Sequence, residues 1–148
     1  MPSYNSELLV QAPPRRLYQA LTTQKGLQGW WTEHCSVGDG VGARSTFYFG
    51  ETWKIMRTAS LKADAEVRWT CTDSRIAAPG LKRADEWIGT DIVFRLSPRG
   101  EHTLLQFEHI GLTPQIECYA LCASGWHQFL GSLKQYAETG KGAPYAEA

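Results

Sequence analysis

Between Pro114 and about Glu138 the chain carries Tyr119, Cys122, Trp126, Phe129, Leu133 and Tyr136, separated by 3, 4, 3, 4 and 3 residues. That spacing lines all six along one side of an α-helix, while Gln128, Lys134, Gln135 and Glu138 fall on the other. Thr113-Pro114 supplies a cap and a first-turn proline, and Gly140, Gly142 and Pro144 mark the stop. A long helix with a single apolar stripe cannot stand alone. It must be laid on a surface with a matching apolar face. Gly125 and Gly131 interrupt it at roughly 1 kcal/mol each relative to alanine, a cost that close approach of the helix to that surface would justify.

The segment from Glu33 to Leu112 supplies the surface. It is rich in β-branched and aromatic residues with period-two alternation, broken at Gly38-Asp39-Gly40, Gly50-Glu51, Lys62-Ala63-Asp64, Ala78-Pro79-Gly80 and Pro98-Arg99-Gly100. Six strands at this spacing favour an antiparallel meander. Counting by twos puts Phe47 with Phe49, Val67 with Trp69 and Cys71, Ile92 with Phe94 and Leu96, and Thr103 with Leu105, Phe107 and His109. One apolar face and one wet face are what a sheet covered on one side requires. Ahead of these, Ser6 to Gln11 alternates as a further strand. Pro13-Pro14 then opens a short helix with Leu17, Ala20 and Leu21 inward, and Lys25 to Trp31 gives a second one broken by Gly26 and Gly29. The expected fold class is α+β: a curved antiparallel sheet of about six or seven strands around the long C-terminal helix, with two short helices after the first strand. One domain is expected over 1–148, its fold spanning about 4–139 with a short tail at 140–148.

Charge narrows the function. Lys plus Arg and Asp plus Glu both number 15, and the basic residues are scattered, so no field gathers nucleic acid or an anionic membrane. The start lacks a basic stretch followed by an apolar one, and no apolar run reaches the length of a spanning helix. A cytoplasmic protein without nucleic-acid partners or membrane insertion is expected. The four cysteines, Cys35, Cys71, Cys118 and Cys122, form no Cys-x-x-Cys pair and read as reduced thiols; only Cys118 and Cys122 are close in sequence, one helical turn apart. No metal and no cofactor are expected. Gly38-x-Gly40-x-Gly42 precedes a strand rather than a helix, so it reads as hairpin punctuation and not as a phosphate loop.

Six tryptophans are many for 148 residues. Large rigid rings either fill a core or line an irregular space. His109 shares the inner face with Leu105 and Phe107, where an imidazole is costly to bury, and it is the candidate acid, base or ligand donor. Glu108 points the other way, His34 and Cys35 are neighbours on opposite faces, and Glu86 and Asp91, read on one strand, are five apart and also opposed, so no catalytic pair stands out.

Ala20-Leu21-Thr22, Gly26-Leu27, Trp30-Trp31-Thr32, Phe47-x-Phe49, Glu86-Trp87-x-Gly89-Thr90, Thr103-x-Leu105-x-Phe107-x-His109-x-Gly111 and Gly125-Trp126 occur in this order. Together they resemble the START-like helix-grip (SRPBCC) superfamily, in the branch named for the activator of the ninety-kilodalton heat-shock protein ATPase, over about residues 7–139. The resemblance implies a bent sheet gripping the long helix with a space between them, in a superfamily of lipid carriers, hormone receptors and polyketide cyclases. The expected function is therefore to hold an apolar or aromatic small molecule, without catalysis. The expected ligand-binding residues are Trp30, Trp31, Phe47, Phe49, Trp69, Phe94, Phe107, His109, Tyr119, Cys122, Trp126 and Phe129. The alternatives are a cyclase- or hydrolase-like enzyme using His109, and a chaperone-associated interaction protein. Activators of the named branch carry a further N-terminal domain that contributes to the chaperone contact, and this chain is expected to match their C-terminal domain alone. A chaperone partner is accordingly doubted, and a homodimer is left open.

Overall fold

In the computed structural model, which describes residues 3–78 and 80–146, the chain runs β1 (Ser3–Val10), α1 (Pro14–Thr22), α2 (Gln24–Trp30), β2 (Cys35–Ser36), β3 (Arg44–Phe49), β4 (Thr52–Lys62), β5 (Glu66–Arg75), β6 (Asp91–Arg99), β7 (His102–Ile110) and α3 (Tyr119–Thr139). The expected strand, two short helices, six further strands and closing helix are all present. The strands make one sheet in the order β1-β7-β6-β5-β4-β3-β2. Every neighbour is antiparallel, and the first strand returns to pair with the last from Ser3↔Ile110 to Val10↔Thr103.

The alternating sets meet in register. Val67 faces Phe94, Trp69 faces Ile92, Phe94 faces Phe107 and Leu96 faces Leu105 across neighbouring strands. All of these are buried, each contributing roughly 1.5–3 kcal/mol of apolar transfer. The opposite face is wet and charged, with Arg68 bound to Asp91 at 2.6 Å and Arg95 placed between Glu66 at 3.5 Å and Glu108 at 3.3 Å. Register shifts between Ile55 and Met56 and between Thr58 and Ser60 are bulges, and bulges bend a strand. They sit midway along β4 and curl the sheet around α3.

On that concave face α3 buries Cys122, Trp126, Leu130, Ser132, Leu133 and Ala137. Phe129 and Tyr136 are only half-buried, so the stripe is turned slightly toward Leu130 and Ala137. The helix begins at Tyr119, five residues after Pro114. Thr113-Pro114 is not its cap, because Ile116 N–H donates to Thr113 O and Tyr119 N–H to Ile116 O, two tight three-residue turns in succession before the helix takes hold. Its end is as expected, with Gly140 left-handed at φ 84°.

Two further expectations are corrected. Nothing lies within 4 Å of where a side chain would begin at Gly125 or Gly131; the close approaches are instead at Gly26 against Ala20 Cα at 2.6 Å, at Gly29 against the Tyr136 ring, and at Gly142 against Gly29 O at 2.6 Å. Glu86 does not share a strand with Asp91: it lies in the turns ahead of β6. Of the expected break Ala78-Pro79-Gly80, Pro79 lies outside the described residues.

Within the segment expected as a tail, Ala143 and Tyr145 are bound to the body. Tyr145 N–H donates to Trp31 O at 2.9 Å, Glu33 N–H donates to Tyr145 O at 3.0 Å, and Ala143 N–H donates to Ser132 Oγ at 2.7 Å. A parallel bridge joins Thr32 to Tyr145.

Candidate ligand-binding site

Five of the six tryptophans form a stack. Trp30 lies on Trp31 with ring centroids 5.7 Å apart, Trp31 on Trp69 at 5.7 Å and on Trp126 at 5.4 Å, and Trp126 on Trp87 at 5.8 Å, all within 23° of parallel. Polar edges fix the rings in place. Trp30 Nε1 donates to Ala20 O at 2.8 Å, Trp126 Nε1 to His109 Nδ1 at 3.0 Å and Trp87 Nε1 to Cys122 Sγ at 3.2 Å. Such pairs add about 0.5–1.5 kcal/mol each beyond their buried area. Most of the rings are therefore core.

At one end the stack borders a cavity, with Trp31, Trp87 and Trp126 in its wall though each is only 1–2% exposed. A cavity of about 480 Å³ opens there between the β3–β4 hairpin (Phe49, Thr52, Lys54), the Ile76–Ala78 segment, the first half of α3 (Leu121, Cys122, Gly125, Trp126, Gln128, Phe129) and Tyr145. Trp31 and Trp87 complete the wall. This volume is in the range that suits a small ligand. A recess of about 230 Å³ beside Tyr18, Leu21, Val37 and Trp69 is half as large.

Among the described residues Lys54 is the one charged side chain in the wall of the larger cavity. Its Nζ lies 3.9 Å from the Trp87 ring centroid, 4.6 Å from Phe49 and 5.7 Å from Trp31, a cage of cation–π contacts. Among the described residues it has no carboxylate within ion-pair distance and no hydrogen-bond acceptor. Burial lowers its pKa from the usual lysine range to about 8, against a smaller opposing effect of the nearby thiols.

Beside it the Sγ atoms of Cys118 and Cys122 are 3.0 Å apart. The Cys122 thiol is held below the ordinary range, chiefly by its hydrogen bond with the Cys118 thiol, with help from Lys54 and Trp87 Nε1–H and against the effect of burial. Cys118 moves up correspondingly, through that same bond and burial. Among the described residues no three His, Cys, Asp or Glu side chains converge as a metal site.

Of the expected ligand-binding residues, Trp31, Phe49, Cys122, Trp126 and Phe129 line the cavity. Trp30, Phe47, Trp69, Phe94 and Phe107 are core residues behind it, and Tyr119 packs at the edge of the core without reaching the wall. His109 points inward as expected but is 0% exposed. Thr90 Oγ1 donates to Trp87 O at 2.7 Å and so must accept from His109 Nε2 at 2.9 Å, while His109 Nδ1 accepts from Trp126. Both ring nitrogens are used, and burial, with Lys54 nearby, pushes the imidazole pKa down to about 3. The imidazole is a neutral structural link and has no free nitrogen for a substrate.

The sequence reading missed Lys54, Trp87 and Tyr145. Lys54 stands directly across from Phe47 in the β3–β4 pairing, so following the Phe47–Phe49 face around the Gly50-Glu51 turn places it inward. Trp87 was assigned to a strand that begins later, and Tyr145 to a free tail.

The model of the family described as activator of Hsp90 ATPase homolog 1-like protein matches residues 11–138. Among solved structures, the Aha1 dimer of Colwellia psychrerythraea is 33% identical, covering 96% of this chain and 100% of that one with a TM-score of 0.79. A Mesorhizobium loti protein at 22% identity covers 90% of this chain and 95% of its own, with a TM-score of 0.74. DynU16, from the dynemicin biosynthetic locus, is 20% identical over 95% of this chain and 48% of its own, with a TM-score of 0.70. The last two share the fold. No curated protein matches the chain.

Proposed function

The chain belongs to the activator of Hsp90 ATPase homolog 1-like family, and on that footing we propose that it is a binding protein for an apolar or aromatic small molecule, held between the sheet and α3. The observation that carries this is the cavity of about 480 Å³ at the end of the tryptophan stack, with Trp31, Trp87 and Trp126 in its wall. Burying some 300 Å² of apolar ligand there contributes roughly 7 kcal/mol before association costs. Micromolar affinity then requires a rigid wall, and stacked rings fixed by hydrogen bonds are one.

The exposed large apolar side chains Leu9, Val41, Tyr48, Ile88 and Leu121 are spread over five segments, so the cavity is a stronger basis for recognition than an apolar docking face. No helix among the described residues is long and apolar enough to cross a membrane. The dimeric state of the Colwellia relative supports a homodimer here too.

Native mass spectrometry of gently purified protein tests the proposal. The expected result is a protomer carrying a discrete extra mass that organic extraction removes and whose fragments identify an apolar compound. A bare protomer that also takes up no apolar compound from an added mixture would contradict it.

A further inference from the structure

We infer that the molecule held in this cavity is an acid: a monocarboxylate with an aromatic or branched apolar body, its carboxylate paired with the Lys54 ammonium and its body laid against Trp31, Trp87 and Trp126. This rests on the cavity being a ligand site and adds the chemical class of the ligand.

The arginine and lysine side chains that form ion pairs, Arg68, Arg83, Arg95 and Lys134, find their carboxylates elsewhere. Lys54 has ring faces and nearby thiols but, among the described residues, no carboxylate partner. Ring faces attract a cation but accept no full hydrogen bond, so in the empty cavity water must satisfy the ammonium. A neutral ligand filling the space would take that water from the ammonium and return no charge, so it binds more weakly than an acid of the same shape. A cationic ligand would add repulsion. A carboxylate replaces the lost water with charge-assisted hydrogen bonds that are stronger for being in a dry site. The remainder of the wall offers an anion no rival: Thr52, Gln128 and Tyr145 are its neutral polar members, and aromatic and aliphatic groups form most of the rest.

The groups facing Lys54 are Cys71 from β5, Cys122 from α3, Cys118 at the residue before that helix, and the neutral His109 from β7, with Glu86 close to the Cys118 and Cys122 thiols. With a Lys54 pKa near 8, roughly nine-tenths of it is charged at pH 7.

The test compares 2-naphthoic acid with its neutral analogue 2-naphthamide, both displacing the uncharged fluorophore N-phenyl-1-naphthylamine. At pH 7 naphthoate is expected to bind wild type at least tenfold more tightly than naphthamide. Lys54→Met should lose tenfold or more of the naphthoate affinity and keep naphthamide within threefold, while Lys54→Arg keeps both. Because Lys54→Met places an apolar chain in an aromatic cage and can alter the wall, wild type is also measured at pH 9.5, where naphthoate should weaken by about tenfold or more and naphthamide should not. Repeating this in Cys122→Ser removes the thiol with the largest charge effect on Lys54, and the weakening should persist. Equal affinities for acid and amide in wild type, or naphthoate binding indifferent to both Lys54→Met and pH, overturns the inference. Failure of the uncharged fluorophore itself to bind overturns the cavity reading beneath it.

Discussion

Trp126→Ala is expected to lower the unfolding free energy by about 4 kcal/mol, within the roughly 3–5 kcal/mol found for truncation of large buried aromatic residues. Trp126 is 2% exposed and stacks on both Trp31 and Trp87, so its loss removes the ring that links the two halves of the stack. It also strands His109 Nδ1, to which Trp126 Nε1 donates at 3.0 Å, adding the cost of an unsatisfied buried acceptor. Urea unfolding followed by far-ultraviolet circular dichroism measures the effect, and Trp53→Ala is the comparison. Trp53 alternates with inward-facing Lys54 on β4, is only half-buried and takes no part in the stack, so about 1 kcal/mol or less is expected from it. A Trp126→Ala loss below about 1.5 kcal/mol would show that the stack is not what holds α3 to the sheet.

The second large effect is a loss of stability in mild acid. His109 has its folded pKa lowered to about 3 by burial and by Lys54, while the unfolded chain titrates near 6.5. A base with a lowered folded pKa leaves the unfolded state binding more protons than the native state between those two values. Stability is therefore full above pH 6.5 and falls as pH drops toward 3, at about 1.4 kcal/mol per unit. Carboxylates held down by hydrogen bonds, such as Glu108 by Ser3 and Glu138 by Gln11 N–H, act in the same direction but only near and below the ordinary carboxylate range. The window from pH 6.5 to 4.5 thus belongs to His109, and about 2.5 kcal/mol should be lost across it. In Trp126→Ala, where water can reach the imidazole, the slope should be shallower. A flat profile between pH 6.5 and 4.5 in wild type would contradict the dry, neutral histidine.

The fold was legible because its elements agree with their own local chemistry. Alternation fixed the inner sets Val67–Trp69–Cys71 and Ile92–Phe94–Leu96, and Gly140 fixed the end of α3. The start of that helix was misread because Thr113-Pro114 satisfies a capping pattern, while the competing three-residue turns depend on how Ile116 and Tyr119 are held. The candidate site was legible only as an inward aromatic set. Period-two counting tells which face a ring occupies but not how far along the sheet the helix stops covering it, so core residues such as Phe94 and Phe107 could not be separated from wall residues such as Phe49. Lys54 escaped notice because a lysine in a strand ordinarily marks a solvated position. Its meaning comes from Trp87 and Trp31, distant in sequence, closing around it.

The cavity at the end of the stack is tested most directly by a fluorescence titration with N-phenyl-1-naphthylamine on wild type and Gly125→Leu. Gly125 lines the cavity, and nothing lies within 4 Å of where its side chain would begin, so leucine can extend into the space while improving helix propensity by up to about 1 kcal/mol. Saturable enhancement in wild type at one fluorophore per protomer, abolished in a Gly125→Leu protein at least as stable, is the predicted result. Equal saturation in both proteins, or no saturation in wild type, would contradict it.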